Sequence, residues 1–331
     1  MQGFSFIVCT HNPNQLMFAD VIANLFLIIK DVPIKSELII VDNNSIPNLK
    51  EIACLNELIF KNKNILLVRE DIPGLTYARI AGFKKAKFNW LIFVDDDNLP
   101  GIDYLIELDR LSKNYPEVKC WGAGKIEVIY QDQKLNPFLQ SLKPLFQERS
   151  FKGVCFSSNI AGEDYYPPGS SMCVERSAFQ TYLELIEKGS ITSSDRTGNS
   201  LNSAGDVQII YCCIKYGFSV GCSDKLTLLH LIKKEKTKQS YLLRLKYALS
   251  SCQIKAFNEI FTDTPIVVNA VTNKDIIIAV YSHIRLKGIY PLKNSILEFA
   301  SKMGIYNARI LAGGFQKPFL LIFFEKLINY R

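Results

Sequence analysis

Three consecutive carboxylates, Asp95, Asp96 and Asp97, follow the apolar run Leu91-Ile92-Phe93-Val94 and precede Asn98. Apolar residues that lead straight into acids read as a buried strand delivering negative charge to its carboxyl end. Adjacent carboxylates repel one another and burial raises their pKa values, so the stretch calls for a cation. A hard divalent metal, Mg²⁺ or Mn²⁺, prefers oxygen ligands and commonly holds a substrate diphosphate. The structural alternative is an acidic turn capping a helix that starts near Pro100, with Asp97 or Asn98 as the cap. Further polar clusters, Thr10-His11-Asn12-Pro13-Asn14 and Asp42-Asn43-Asn44-Ser45, each stand directly behind an apolar run. Asp206, behind Gly205, opens an amphipathic run; on its own it is a first-turn acid favoured by the helix dipole. His230 follows Leu226-Thr227-Leu228-Leu229, and a single His at a strand end is ordinarily structural.

The elements that must position these residues follow from periodicity. Phe4 to Thr10 predicts a central strand, and Leu16 to Ile29 a helix. Glu37 to Val41 is a second strand, Ile52 to Phe60 a helix, and Asn64 to Arg69 a short third strand. Pro73-Gly74 marks a turn before the helical period of Leu75 to Ala86, which leads to the strand at Leu91. Strand and helix alternating over about one hundred residues is the pattern of a parallel sheet covered on both faces. Right-handed crossovers bring the carboxyl ends of the strands to one edge, where such sheets bind ligands. Thr10, Asn12, Asp42 and Asp95 to Asp97 therefore converge on one crevice. Downstream, a helix from beyond Asp103 to about Asn114 and a strand over Val118 to Ile129 precede an aperiodic segment, Tyr130 to Tyr166, which reads as an insertion. Gly217 suits the end of the helix opened by Asp206.

Composition sets outer limits. The chain has 331 residues, 48% hydrophobic and 21% charged, with net charge +7; this is a folded protein with room for a large α/β domain and an appendage. The start, Met-Gln-Gly-Phe-Ser-Phe-Ile-Val, reads as a first strand and not as a signal peptide. No apolar run approaches the ~18 residues of a membrane span. Nine scattered cysteines without Cys-x-x-Cys spacing fit reduced, mostly buried thiols in a cytoplasmic protein. Eight basic residues against one acid between Lys225 and Lys255 read as a solvated face or a surface for anionic lipid or a diphosphate. No nucleic-acid motif accompanies them.

Four stretches together carry a family resemblance: Phe6 to Asn12, Ile39 to Ser45, Gly74-Leu75-Thr76-Tyr77-Ala78-Arg79 with Gly82, and Phe93 to Asp97. In order, strand context and spacing they resemble the family 2 glycosyltransferases of GT-A fold. That resemblance implies a Rossmann-like, mostly parallel sheet flanked by helices and followed by a helical C-terminal extension. Residues 1–235 are then the catalytic domain, with a nucleotide-sugar-binding half over 1–110 and an acceptor half over 111–235; residues 236–331 are the extension. It implies a nucleotide-diphosphate-sugar donor, with Thr10, Asn12 and Asp42 near base and ribose, Arg79 near the nucleotide or diphosphate, and Asp96 beside the donor. Asp95 serves ribose and metal, Asp97 binds a divalent metal, Mn²⁺ or Mg²⁺, and His230 closes the metal site from the far side. Pro167 to Arg176 resembles the small-residue turn and strand beneath the donor sugar. Asp206 is implied as the catalytic base of an inverting transfer, although Gly205 stands where many relatives have Glu. The resemblance also implies a glycan or lipid-linked glycan acceptor, bacterial surface-polysaccharide synthesis, and a cytoplasmic protein with peripheral membrane contact. The run 318–324 is either an interfacial amphipathic helix or part of a core. A nucleotidyltransferase is disfavoured, since Thr10 to Asn14 is no Gly-rich phosphate loop, and a binding-only protein has no need of Asp206.

Overall fold

The structure, a computed structural model, describes residues 1–52, 65–193, 195–197, 200–287 and 293–330. The chain divides into two compact units. One comprises residues 1–129, 143–187 and 209–232, and the other 130–142, 188–208 and 233–331.

The first unit is built on the sheet. Strands β1 (Phe4–Thr10), β2 (Ser36–Asn43), β3 (Ile65–Glu70) and β4 (Trp90–Asp95) pair in parallel in the order β3-β2-β1-β4. Between them run helices α1 (Gln15–Ile29) and α2 (Leu75–Lys85). Beyond β4 the sheet continues through β9 (Met172–Glu175), β6 (Val118–Tyr130), β10 (Ser219–Ile232) and β5 (Asn98–Pro100). The expected helix over 52–60 lies almost wholly outside the described residues.

Alternation within β1 explains why both faces of the sheet are covered. Phe4, Phe6 and Val8 join one apolar core with Val21, Ile22 and Leu25 of α1 and Leu105 and Leu108 of α3 (Tyr104–Asn114). Ile7 points the other way, where Gly82 of α2 sits so close that an added Cβ would strike Ile7 and come within 3.2 Å of Val41. Only glycine allows that helix its distance from the sheet. The registers Thr10↔Asp42 and Cys9↔Asp95 then align the carboxyl ends of β1, β2 and β4 at one edge.

Two expectations are corrected. The helix-cap alternative for the triplet does not hold: Asn98, Leu99 and Pro100 pair antiparallel with His230, Leu229 and Leu228, while the helix expected beyond Asp103 runs Tyr104–Asn114. Local turn chemistry suggested a cap, but pairing with β10 prevails. Nor is the segment 130–166 wholly an insertion. The short strands β7 (Arg149–Ser150) and β8 (Val154–Ser157) pair with β6 and β10, and strands of two and four residues carry too little alternation to be read as such.

The second unit is helical, with α4 (Pro137–Leu142), α7 (Gln239–Ser251), α8 (Gln253–Ile260), α9 (Asn273–Lys287), α10 (Lys293–Gly313) and α11 (Phe319–Leu327). Helix α6 (Gly205–Lys215) starts in this unit, and α5 (Arg176–Glu187) belongs to the first. Tyr247, Ile276, Met303, Ile310, Leu321 and Ile328 form its core. Gly304 lets α10 approach α7 closely, since a Cβ there would stand 2.8 Å from Ser250. Tyr247 Oη donates to Glu325 Oε1 at 2.5 Å, and Lys317 Nζ reaches the same oxygen at 2.7 Å. Among the described residues no helix is long and apolar enough to cross a membrane.

Candidate active site

The loops behind β1, β2 and β3 are laced together by side chains. Asp42 is buried; its Oδ1 accepts from the Ser45 N–H at 3.0 Å, and its Oδ2 from the Leu49 N–H at 3.1 Å and Arg69 Nη1 at 2.8 Å. Arg69 also donates to Asp71 at 2.8 Å and to Asn44 Oδ1 at 2.9 Å. Hydrogen bonding to Asp71 raises the guanidinium's pKa most, burial opposes, and Asp42 adds to the rise. Asn12, with φ of 48°, donates its N–H to Ser45 Oγ at 2.9 Å and accepts from the Ile46 N–H at 2.8 Å. Asn43 accepts from the Gly74 N–H at 2.8 Å, which ties the turn before α2 to the same edge.

The acidic triplet lies beside them. Asp95 ends β4 half-buried, and Asp96 Oδ2 accepts from Thr10 Oγ1 at 2.5 Å. Asp97 is buried, accepts from Asn98 Nδ2 at 3.0 Å, and takes the Leu231 N–H on its carbonyl at 2.9 Å. The β5–β10 pairing sets His230 across from Asn98, and His230 Nε2 stands 3.8 Å from Asp97 Oδ1. His230 Nδ1 lies 2.9 Å from the Phe146 carbonyl. A carbonyl only accepts, so Nδ1 carries a proton, and Nε2 is the ring nitrogen on the side of Asp97.

A backbone carbonyl on one imidazole nitrogen is how metal-ligating histidines are commonly oriented. With a carboxylate at hand, the pair fits a divalent ion with mixed N/O ligation. Among the described residues no group of three or more His, Cys, Asp and Glu could hold a metal ion. The expected set Asp95, Asp97 and His230 is therefore not gathered as a three-residue metal site; it is Asp97 and His230 that approach each other.

Arg79 is buried on α2 with its guanidinium carbon 5.6 Å from the centre of the Phe93 ring, within cation–π range of β4. Tyr104 Oη donates to the Ser171 carbonyl at 2.7 Å, holding a turn in which Ser171 has φ of 63°. Burial pushes the Tyr104 phenol well up, so it stays protonated and able to donate. Ser170 Oγ donates to Gln147 Oε1 at 2.6 Å.

Residues 5–152 match the family model described as "Glycosyl transferase family 2". The chain carries a family 2 glycosyltransferase domain. Two solved structures from S. aureus are similar to it: TarS 1–349, 12% identical with a TM-score of 0.47, and TarS 1–349 in complex with UDP-GlcNAc, 13% identical with a TM-score of 0.49. Each likeness covers 95% of this chain and 91% of the TarS chain. No curated protein matches the chain.

The glycosyltransferase match contains Thr10, Asn12, Asp42, Arg79 and the triplet; Asp206 and His230 lie beyond it. Asp206 stands half-buried in the first turn of α6, within the second unit. The stretch leading to it is pinned by residues that sequence reasoning missed. Glu259 of α8 accepts from Thr192 N at 3.0 Å, Thr192 Oγ1 at 2.7 Å, Ser193 N at 3.2 Å and Gln208 Nε2 at 2.8 Å. Tyr330 Oη donates to Asn202 Oδ1 at 2.6 Å. Arg69 was likewise missed: it faces Asp42 across the β2–β3 register, a partnership that no single-strand pattern signals.

Four of the buried thiols are chemically quiet. Burial pushes Cys120, Cys173 and Cys212 up, and Cys222 up to about 12, so these four are neutral and poor nucleophiles.

Proposed function

We propose that the chain is an inverting glycosyltransferase that moves a sugar from a nucleotide-diphosphate donor to a hydroxyl of a glycan or lipid-linked glycan. The setting we propose is bacterial surface-polysaccharide or glycolipid synthesis at the inner membrane face. The observation that carries this reading is the His230–Asp97 pair, assembled by β5 and β10 beside Asp95 and the Thr10–Asp96 bond, in a family 2 domain. It stands at the carboxyl edge of parallel strands, where such sheets hold their ligands.

In this reading residues 1–235 form the catalytic domain and residues 236–331 its helical extension. Asn12 and Asp42 shape the loops that receive base and ribose, and Thr10 orients the Asp96 carboxylate beside the donor. Arg79 faces the nucleotide or diphosphate, and Asp95 supports ribose. Asp97 and His230 would hold Mn²⁺ or Mg²⁺, with Asp95 beside them, and the ion would offset negative charge on a departing diphosphate. The Asp206 carboxylate takes the proton of the acceptor hydroxyl as its oxygen attacks the anomeric carbon and the bond to the diphosphate breaks. The transition state resembles an oxocarbenium ion, so positioning and leaving-group electrostatics lower much of the barrier.

The test is nucleoside diphosphate release measured against a panel of nucleotide sugars and acceptors. General-base catalysis contributes about 10²–10⁴ in rate, so Asp206→Asn is expected to lower turnover by that order with donor affinity retained. Donor affinity that collapses with turnover, or turnover that survives, overturns the role of Asp206. Release of pyrophosphate instead would mark a nucleotidyltransferase, and nucleotide binding without any turnover a binding protein.

A further inference from the structure

The second unit carries an apolar surface that its own core leaves exposed. On α9, Ile276 and Ala279 are buried, while Ile277, Tyr281 (65% exposed) and Ile284 face outward at the i, i+4, i+7 spacing of one helix face. On α11, Leu321 and Ile328 pack inward, while Phe319, Phe323 and Leu327, at four-residue intervals, are 69%, 57% and 70% exposed. The two helices meet at their amino ends, where the Leu320 N–H donates to Asn273 Oδ1 at 2.9 Å. Exposed hydrophobes are normally scattered singly; clusters of large ones mark a surface that is covered in use.

Charge selects the cover. Residues 264–331 hold nine Lys and Arg against three Asp and Glu, so this stretch alone carries +6 of the net +7. Lys274 and Arg285 of α9 and Lys326 of α11 are exposed among the apolar residues. A second copy would bring an equally cationic face against this one. An anionic lipid surface offers both complements, phosphates for the cations and acyl chains for the aromatic and aliphatic side chains. Helix α11 has nine residues, less than half of a span, and is too short to cross a bilayer.

We propose that α9 and α11 together seat the chain on an anionic bilayer, with Ile277, Tyr281, Ile284, Phe319, Phe323 and Leu327 entering the boundary between headgroups and acyl chains. This rests on the reading that the acceptor is lipid-linked, and it identifies the surface that brings the enzyme to it. The carrier is a pair of helices, where the sequence offered only the run 318–324, as either an interfacial helix or part of a core.

The test is flotation of the full chain with vesicles of phosphatidylcholine plus phosphatidylglycerol and with vesicles of phosphatidylcholine only. Binding to the anionic vesicles, release by salt as screening shortens, and little binding to the neutral ones are expected. Burial of one large apolar side chain amounts to about 10- to 100-fold in affinity, so Phe323→Glu and, separately, Tyr281→Glu should each weaken vesicle binding at least tenfold. Both positions are exposed, so melting temperature and nucleotide binding should match the parent. Absence of vesicle binding, or variants that bind as well as the parent, overturns the proposal. A lipid-free dimer that Phe323→Glu converts to monomer also overturns it, by assigning the face to a second copy. Vesicle binding without any diphosphate release would uphold this surface and overturn the glycosyl-transfer reading alone.

Discussion

Replacing Asp42 with alanine separates a positioning role from a contact role. The carboxylate is 1% exposed and accepts two backbone N–H groups and one guanidinium. Removing one partner of a buried ion pair costs about 3–5 kcal/mol, because the other charge keeps its desolvation and loses its compensation. Arg69 is a quarter exposed and retains Asp71, which places the expected cost near the lower end, about 3 kcal/mol. For a domain of ~150–250 residues each kcal/mol shifts the melting temperature by about 2–4 °C, so calorimetry should show a drop of roughly 6–12 °C. Asp42→Asn keeps an oxygen for the N–H groups and loses the charge-assisted bond, for about 1.5–3 kcal/mol. Isothermal titration with nucleoside diphosphates should show weaker binding in both, more so in the alanine variant, whose 44–49 loop is released from β2. An Asp42→Ala protein that melts with the parent would refute the reasoning, since the bonds described would then stabilise nothing.

Nucleoside diphosphate binding should tighten with Mn²⁺, and Asp97→Ala should abolish that gain; His230→Ala should reduce it about 10- to 100-fold, as titration calorimetry can show. Gly82→Ala should destabilise by about 1–3 kcal/mol through overpacking against Ile7 and Val41, read by thermal melting. Burial raises the Glu107 pKa, but hydrogen bonds from Arg110 and Ser223 and the nearby cations outweigh it, so the group titrates below its ordinary 4.5. A depressed folded-state pKa stabilises above the unfolded value and is lost as pH falls through the folded one. Glu107→Gln should therefore melt several degrees lower than the parent at neutral pH and close the gap below about pH 4.

Much of the donor side is legible in the chain because its strands are local and periodic. Phe4, Phe6 and Val8 alternate with Ser5 and Ile7, and each strand hands over to a turn whose polar residues announce an edge. The elements that escaped are those fixed by distant pairing. Asn98 to Pro100 resembles a cap until β10 pairs with it across more than a hundred residues. Arg69 resembles a charged strand end until Asp42 stands opposite. Asp97 and His230 both stand out in the sequence, but only the β5–β10 register brings them within 3.8 Å of each other. The ties made by Glu259 and Tyr330 span 51 to 128 residues in sequence, a range at which no local pattern operates.

The helical unit is assembled from three separate stretches, 130–142, 188–208 and 233–331, and Glu259 grips both the start of the second stretch and Gln208 at its end. The C-terminal helices are therefore not an interchangeable tail. Grafting the helices of another enzyme after residue 232 would leave Thr192 and Gln208 without their shared acceptor and misplace the segment that carries Asp206. Chimeras that trade all three stretches at once are the ones expected to change acceptor preference without losing turnover.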